Sequence, residues 1–307
     1  MFKLSFKQNN FAQIICIASA CLVLSACTNS TTNVAATQST QSSSSSKQLA
    51  TILDSLSDKQ KARYQYRHPQ QTLEYFGIKP GMKVGEVLPG DNGWYTKILV
   101  PYLGSEGELV GIDYPLSLWS NFSFMNEERL AKKKTWAADW TAATEQRAGE
   151  NSARIKAYQL LDMPESTAGT LDAVLFFRAL HNLTRFNEKG GFLDNSLAET
   201  FRSLKPGGIV GVVQHQARED RLDSWADGNN GYLKSSFVIA KMQAAGFEFV
   251  SQSNINNNPK DQATVGENVW RLAPAGRRNF KKGSPESDAL EAIGESHRMT
   301  LKFRKPS

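Results

Sequence analysis

Three carboxylates and two histidines stand where apolar runs of this chain give way to polar ones. Glu86 lies at the end of the run Lys83–Leu88 and is followed by Pro89-Gly90-Asp91-Asn92-Gly93-Trp94-Tyr95-Thr96. Asp113 ends the next run, twenty positions after Gly93. A carboxylate there has two oxygens that match the vicinal hydroxyls of a ribose, or it caps the helix that follows. Asp162 comes after the third run, in Asp162-Met163-Pro164-Glu165, as a site acid or a surface turn. His181 follows the fourth run in Arg178-Ala179-Leu180-His181-Asn182, and His215 follows the fifth. An imidazole with a pKa near neutrality suits a general base, and it equally suits a packed or helix-capping position.

Several chemistries are excluded by what is missing. No Gly-x-Gly-x-x-Gly follows a strand, which argues against a dinucleotide cofactor. No Gly-x-Ser-x-Gly elbow is present, which argues against a serine hydrolase. The three cysteines are Cys16, Cys21 and Cys27, so the rest of the chain has no thiol nucleophile and no cysteine zinc site. The two histidines lack a third ligand of evident spacing, so no metal is expected. The formal charge is +6. The basic runs Lys132-Lys133-Lys134 and Arg277-Arg278 have no interleaved aromatics, so no nucleic-acid partner is expected.

These residues need a frame that brings strand ends together. Apolar runs predict strands near 83–88, 108–112, 155–161, 171–177, 209–214, 247–251 and 299–303. The run 171–177 is the most apolar, which places it centrally. Helical patterns fill the intervals, including 94–103, 116 to about 147, 193–204 and 232–245. His68-Pro69 opens a short helix with proline in its first turn, and Gly77 stops it. Strands alternating with helices predict an α/β fold with a parallel sheet. Ligands of such sheets bind beyond the carboxyl ends of the strands, where the strand order reverses.

The order of these motifs resembles the class I S-adenosylmethionine-dependent methyltransferases over about residues 75–250. The Glu86 loop resembles their motif I, with Leu88 standing where the first glycine is usual and Asp91-Asn92 lengthening the loop. Leu204-Lys205-Pro206-Gly207-Gly208 matches the turn that precedes their fifth strand. More narrowly, Trp94-Tyr95-Thr96, the string Arg178 to Asn182, Asn258-Pro259-Lys260-Asp261 and the ending Leu301 to Pro306 resemble a group of bacterial methyltransferases predicted from sequence. The resemblance implies a Rossmann-like fold, a mostly parallel seven-stranded sheet with helices on both faces. It implies S-adenosylmethionine as cofactor, held by Glu86, Gly90, Gly93, Asp113 and Asp162. His181 becomes the catalytic candidate, and Asn182 and His215 become contacts to a small-molecule acceptor. The polar stretch from Asn254 to Gly266 is expected to act as a lid over the same edge.

The amino terminus carries a separate signal. Lys3 and Lys7 precede an apolar stretch from Phe11 to Val23, too short to span a bilayer but suited to a secretory signal. Leu24-Ser25-Ala26-Cys27 resembles a bacterial lipobox, which implies lipidation of Cys27 and loss of residues 1–26. Thr28 after the cysteine implies outer-membrane sorting. Residues 27–48, rich in Ser, Thr and Gln, are expected to be a disordered tether, and residues 49–307 the methyltransferase-like domain. Export away from an obvious cofactor supply leaves a second expectation, a catalytically inactive ligand-binding lipoprotein on the same fold.

Overall fold

The computed structural model describes residues 31–91, 93–274, 276, 281 and 283–307. The signal region, Cys27 and Asn92 lie outside the described residues. Two compact units divide the chain, Met1–Gln41 and Ser42–Ser307. Of the first, residues 31–41 are helical backbone, the start of a helix Thr31–Ser55. Helical backbone thus begins at Thr31, inside the segment expected as a tether, and the second unit begins at Ser42. The later turns of this helix explain part of that. Leu49, Ile52 and Leu53 share one helical stripe and pack into the core, joined by Leu56 just past the helix end. Ser46 adds a 2.6 Å hydrogen bond to Glu74.

Among the described residues eight strands form the sheet: β1 (Lys83–Val87), β2 (Glu108–Asp113), β3 (Arg154–Gln159), β4 (Leu171–Phe177), β5 (Leu204–Ala217), β6 (Leu233–Lys234), β7 (Glu248–Ser253) and β8 (Arg298–Arg304). Seven follow the order β3-β2-β1-β4-β5-β8-β7, and β6 adds a two-residue pairing to β5. The pairs among β1 to β5 are parallel. β8 inserts antiparallel between β5 and β7. This is the Rossmann-like α/β fold expected from the sequence, with β6 as an addition.

Alternation along β4 builds both faces. Val174 and Phe176 join the core on one side, with the helices Phe192–Ser203 and Ser235–Ala244. Ala173, Leu175 and Phe177 join the core on the other, with Pro69–Phe76, Thr96–Leu103 and Glu127–Glu145. Period-two side chains on a strand covered by helices on both faces give this continuous apolar run. The long helix expected from residue 116 breaks into Leu116–Trp119 and Glu127–Glu145. Asn126 caps the second, accepting from the Arg129 amide at 2.9 Å. Gly111 lets this helix approach the sheet: a Cβ there would lie 2.5 Å from the Trp140 ring. The turn Lys205–Gly208 is a bulged entry to β5, where pairing slips between Leu171–Leu204 and Ala173–Ile209.

Candidate functional site

Strand order reverses beside β1, which pairs with β2 on one side and β4 on the other. The carboxyl ends of β1, β2, β4 and β5 therefore surround the switch point where such sheets bind ligands.

Glu86 is buried in β1, and its carboxylate accepts from Thr96 Oγ1 at 2.7 Å. That bond ties the strand to the first turn of the next helix. Burial pushes the Glu86 carboxyl up to about 7, against the opposing pull of Thr96. Leu88 then turns the chain with φ of 56°, in the left-handed region. The position where the resembled motif places glycine thus has the backbone that glycine favours, occupied here by leucine at a steric cost. Gly90, with φ of 66°, has open space around it, and Gly93 at 45° packs on Thr96.

Asp113 is buried at the end of β2, and its Oδ2 is already engaged. Lys133 Nζ approaches to 2.8 Å and the Trp119 indole donates at 3.2 Å. Lys133 also sits 3.9 Å from the Trp119 ring centroid. Burial raises the Asp113 carboxyl, partly countered by Lys133. A cavity of about 580 Å³ adjoins Lys133, lined by Asp91, Trp119, Phe124 and Trp136 among others, and Asp113 lies behind the lysine, outside that lining. Asp162 is exposed in the loop after β3 and lines neither this cavity nor the one below.

The sequence-predicted acceptor residues do converge. His181, Asn182 and His215 line one cavity of about 270 Å³ at the ends of β4 and β5. The two imidazole centroids are 5.5 Å apart. Both rings are held neutral. Burial first, helped by Arg178, lowers His181 to about 4 and takes His215 well below its ordinary value, with His181 also contributing there. Gln214 fixes one tautomer. Its Nε2 donates to the Gly231 carbonyl at 3.0 Å, so the other amide hydrogen meets His181 Nδ1 at 3.4 Å. His181 Nδ1 is then the acceptor and Nε2 carries the hydrogen. In this state Nε2 is a hydrogen-bond donor. His215 Nδ1 is 2.5 Å from Ser296 Oγ. Asn182 Oδ1 and Gln214 Oε1 are buried without a partner among the described residues.

Residues 254–266 do not line this cavity. Its apolar wall comes in part from Val269, Trp270, Leu272 and Pro274. The earlier segment is pinned by its own polar groups. Asn256 donates to Thr72 and Thr300, and Asp261 accepts from Tyr232, Arg271 and the His297 amide. Asn258 reaches the Ile293 and Glu295 carbonyls.

Those contacts position a group that sequence reasoning missed. Glu295 is buried and lines the same cavity. It accepts from Arg63, from Arg67 at 3.3 Å and from Arg298 at 2.7 Å. Burial alone would raise its pKa, but Arg298, Arg67, Arg178 and Arg63 together hold it at about 2. Burial and the neighbouring Arg178 pull Arg67 down to about 9, with Glu295 opposing. Arg178 itself has φ of 60° and lines the cavity; its backbone amide donates to the Val213 carbonyl at 2.7 Å, and its side chain has no hydrogen bond or ion pair among the described residues. Among those residues, no group of three or more His, Cys, Asp or Glu side chains is placed to hold a metal, and no helix is long and apolar enough to cross a membrane.

No family model matches the chain, and no curated protein matches it. Solved structures of similar fold include the (4+2)-cyclase SpnF, 18% identical, covering 78% of this chain and 80% of its own, with a TM-score of 0.48. A methyltransferase dependent on S-adenosylmethionine from Aquifex aeolicus is 14% identical, with 83% and 97% covered and a TM-score of 0.43. The 1,6-didemethyltoxoflavin-N1-methyltransferase of Burkholderia thailandensis, solved with S-adenosylhomocysteine, is 13% identical, with 92% and 94% covered and a TM-score of 0.41. At identities this low and superpositions this loose, the fold assignment rests on the strand order, and these likenesses carry no argument about chemistry.

Proposed function

We propose that this chain binds S-adenosylmethionine at the switch point beside β1 and transfers its methyl group to a small-molecule acceptor held near His181 and His215. One observation carries the reading. The left-handed turn at Leu88 stands between the Asp113 strand end and the cavity of Arg178 and His181.

The residues present fit such a cofactor with one adjustment. Asp113 can accept ribose hydroxyls once Lys133 swings aside, and the aromatic walls of the larger cavity suit a purine face. Leu88 narrows the cavity on the β4 side. The cofactor supplies an activated methyl group on a sulfonium. The chain's residues hold the two reactants in line, which is most of what such a transfer requires. His181 Nε2–H and the unpartnered Asn182 Oδ1 offer one donor and one acceptor to fix the acceptor molecule.

Calorimetric titration of the purified full chain with S-adenosylmethionine and S-adenosylhomocysteine tests this reading. Saturable binding of both is expected. A folded protein that binds neither would leave the second expectation, a ligand-binding lipoprotein without catalysis.

The lipobox ending in Cys27 supports a further part of the proposal. The mature chain would be anchored by acyl groups on Cys27 in the bacterial cell envelope, at the outer membrane facing the periplasm.

A further inference from the structure

We propose that the cavity between β4 and β5 takes an anionic acceptor, a small carboxylate or phosphate with an apolar body, whose charge is met by Arg178. Naming this group as the acceptor's rests on the methyl-transfer reading above; the anion site itself does not.

The charge count comes first. Arg63, Arg67 and Arg298 all converge on Glu295, and Arg178 acts on the same carboxylate. Four guanidiniums therefore face one buried carboxylate. The three that bond Glu295 share its two oxygens, and the Arg178 guanidinium is left with no hydrogen bond or ion pair of its own among the described residues. Buried or half-buried charge without a partner is expensive, so it marks a place where a partner is missing.

Position comes second. Arg178 lines a cavity of about 270 Å³, large enough for a small organic acid. Its backbone is left-handed, a conformation that a non-glycine residue adopts at a cost and that places this side chain at the strand end. Glu295 and Ser296 line the same wall, so the arginine cluster and the cavity are contiguous.

The rest of the lining defines the molecule. Phe177, Val269, Trp270, Leu272 and Pro274 are apolar, which suits a ring or a short aliphatic body. Both histidines are neutral, so they add hydrogen bonds without adding charge. A guanidinium with free N–H groups takes a carboxylate or phosphate through two parallel bonds.

The test uses the full chain with no cofactor present. Benzoate and phenyl phosphate are titrated against the neutral isostere benzamide by ligand-observed NMR. At least one anion is expected to bind about tenfold or more tightly than benzamide, the scale of one charge-assisted pair. Arg178→Gln should abolish that preference and Arg178→Lys should keep part of it. Equal binding of anions and benzamide by the parent protein would overturn the proposal without needing any variant to fold.

A second arm separates two sources of the anion, because the cofactor also carries a carboxylate. S-adenosylhomocysteine and 5′-methylthioadenosine, which lacks the amino-acid part, are titrated into parent and Arg178→Gln. If the variant loses affinity only for S-adenosylhomocysteine and leaves benzoate untouched, Arg178 serves the cofactor and the acceptor assignment falls. If anions still bind while neither nucleoside does, the anion site stands and the methyl-transfer reading fails.

Discussion

Lys133 Nζ lies 2.8 Å from Asp113 Oδ2, so the carboxylate expected to meet a ribose is closed by an ammonium from the neighbouring helix. Lys133 is the partly exposed member of the pair and can return to water, whereas Asp113 cannot. Asp113→Ala should therefore weaken binding of S-adenosylmethionine by roughly 1–3 kcal/mol, the scale of lost bonds to a charged group. The ligand-free melting temperature should change little. Calorimetry and thermal unfolding on the same preparations check both halves, and equal affinity in variant and parent would remove Asp113 from the site.

Glu86 should make the fold less stable as pH rises. Its carboxyl is lifted from an ordinary 4.5 to about 7. The folded state therefore binds a proton more tightly than the unfolded one. The resulting stability is full below about pH 4.5 and is lost as pH rises through 7, for a total of about 3 kcal/mol. Glu86→Gln should remove this slope, read as the difference between variant and parent in denaturant unfolding from pH 4.5 to 8.

His181 carries the opposite slope. Its pKa falls from 6.5 to about 4, so the folded state binds its proton less tightly. That contribution, also about 3 kcal/mol, is full above pH 6.5 and is lost as pH falls through 4. NMR of the imidazole hydrogens should show no titration of His181 between pH 5.5 and 8. A midpoint near 6.5 would contradict the lowering of its pKa by burial.

Leu88→Gly should be unusually cheap. Leucine in the left-handed region costs about 1–2 kcal/mol, while glycine costs about 0.5–1 kcal/mol in chain entropy and loses some packing. The net change in unfolding free energy should stay within about 1 kcal/mol, against roughly 2–5 kcal/mol for trimming an ordinary core leucine. The cavity at the β4 end should widen as well. A loss above about 3 kcal/mol would show that Leu88 is there for packing.

Cys27→Ser should block acylation or release the protein from membranes. Metabolic labelling with a fatty acid and membrane fractionation check this. Labelling that persists in the variant would sink the lipobox reading.

The first five strands were legible because each is a short apolar run bounded by turn residues, and β4 above all, buried on both faces. The direction of β8 was not legible, since Arg298–Arg304 reads the same as a parallel or an antiparallel strand until its neighbours β5 and β7 are known. The meeting of His181, Asn182 and His215 followed from two adjacent strand ends. The arginine cluster could not be foreseen, because Arg63 and Glu295 are 232 positions apart and nothing local links them. The tautomer of His181 depends on a glutamine amide and a backbone carbonyl, which spacing does not encode.

Trp140 rests against the backbone of Gly111, two residues before Asp113, with no room for even a methyl group between them. Trp136 packs beside it on the same helix, its ring centroid 5.6 Å from that of Trp140. Lys133 is three and seven positions earlier, on the same helical stripe. The helix is therefore keyed to β2 in both height and rotation. Uncovering Asp113 cannot come from sliding or rolling this helix, because either movement would drive the indole into the strand. It falls to torsions of the lysine side chain alone, with no whole element having to move. The gate over the carboxylate would then swing far faster than any lid, and its opening would not set the pace of the site.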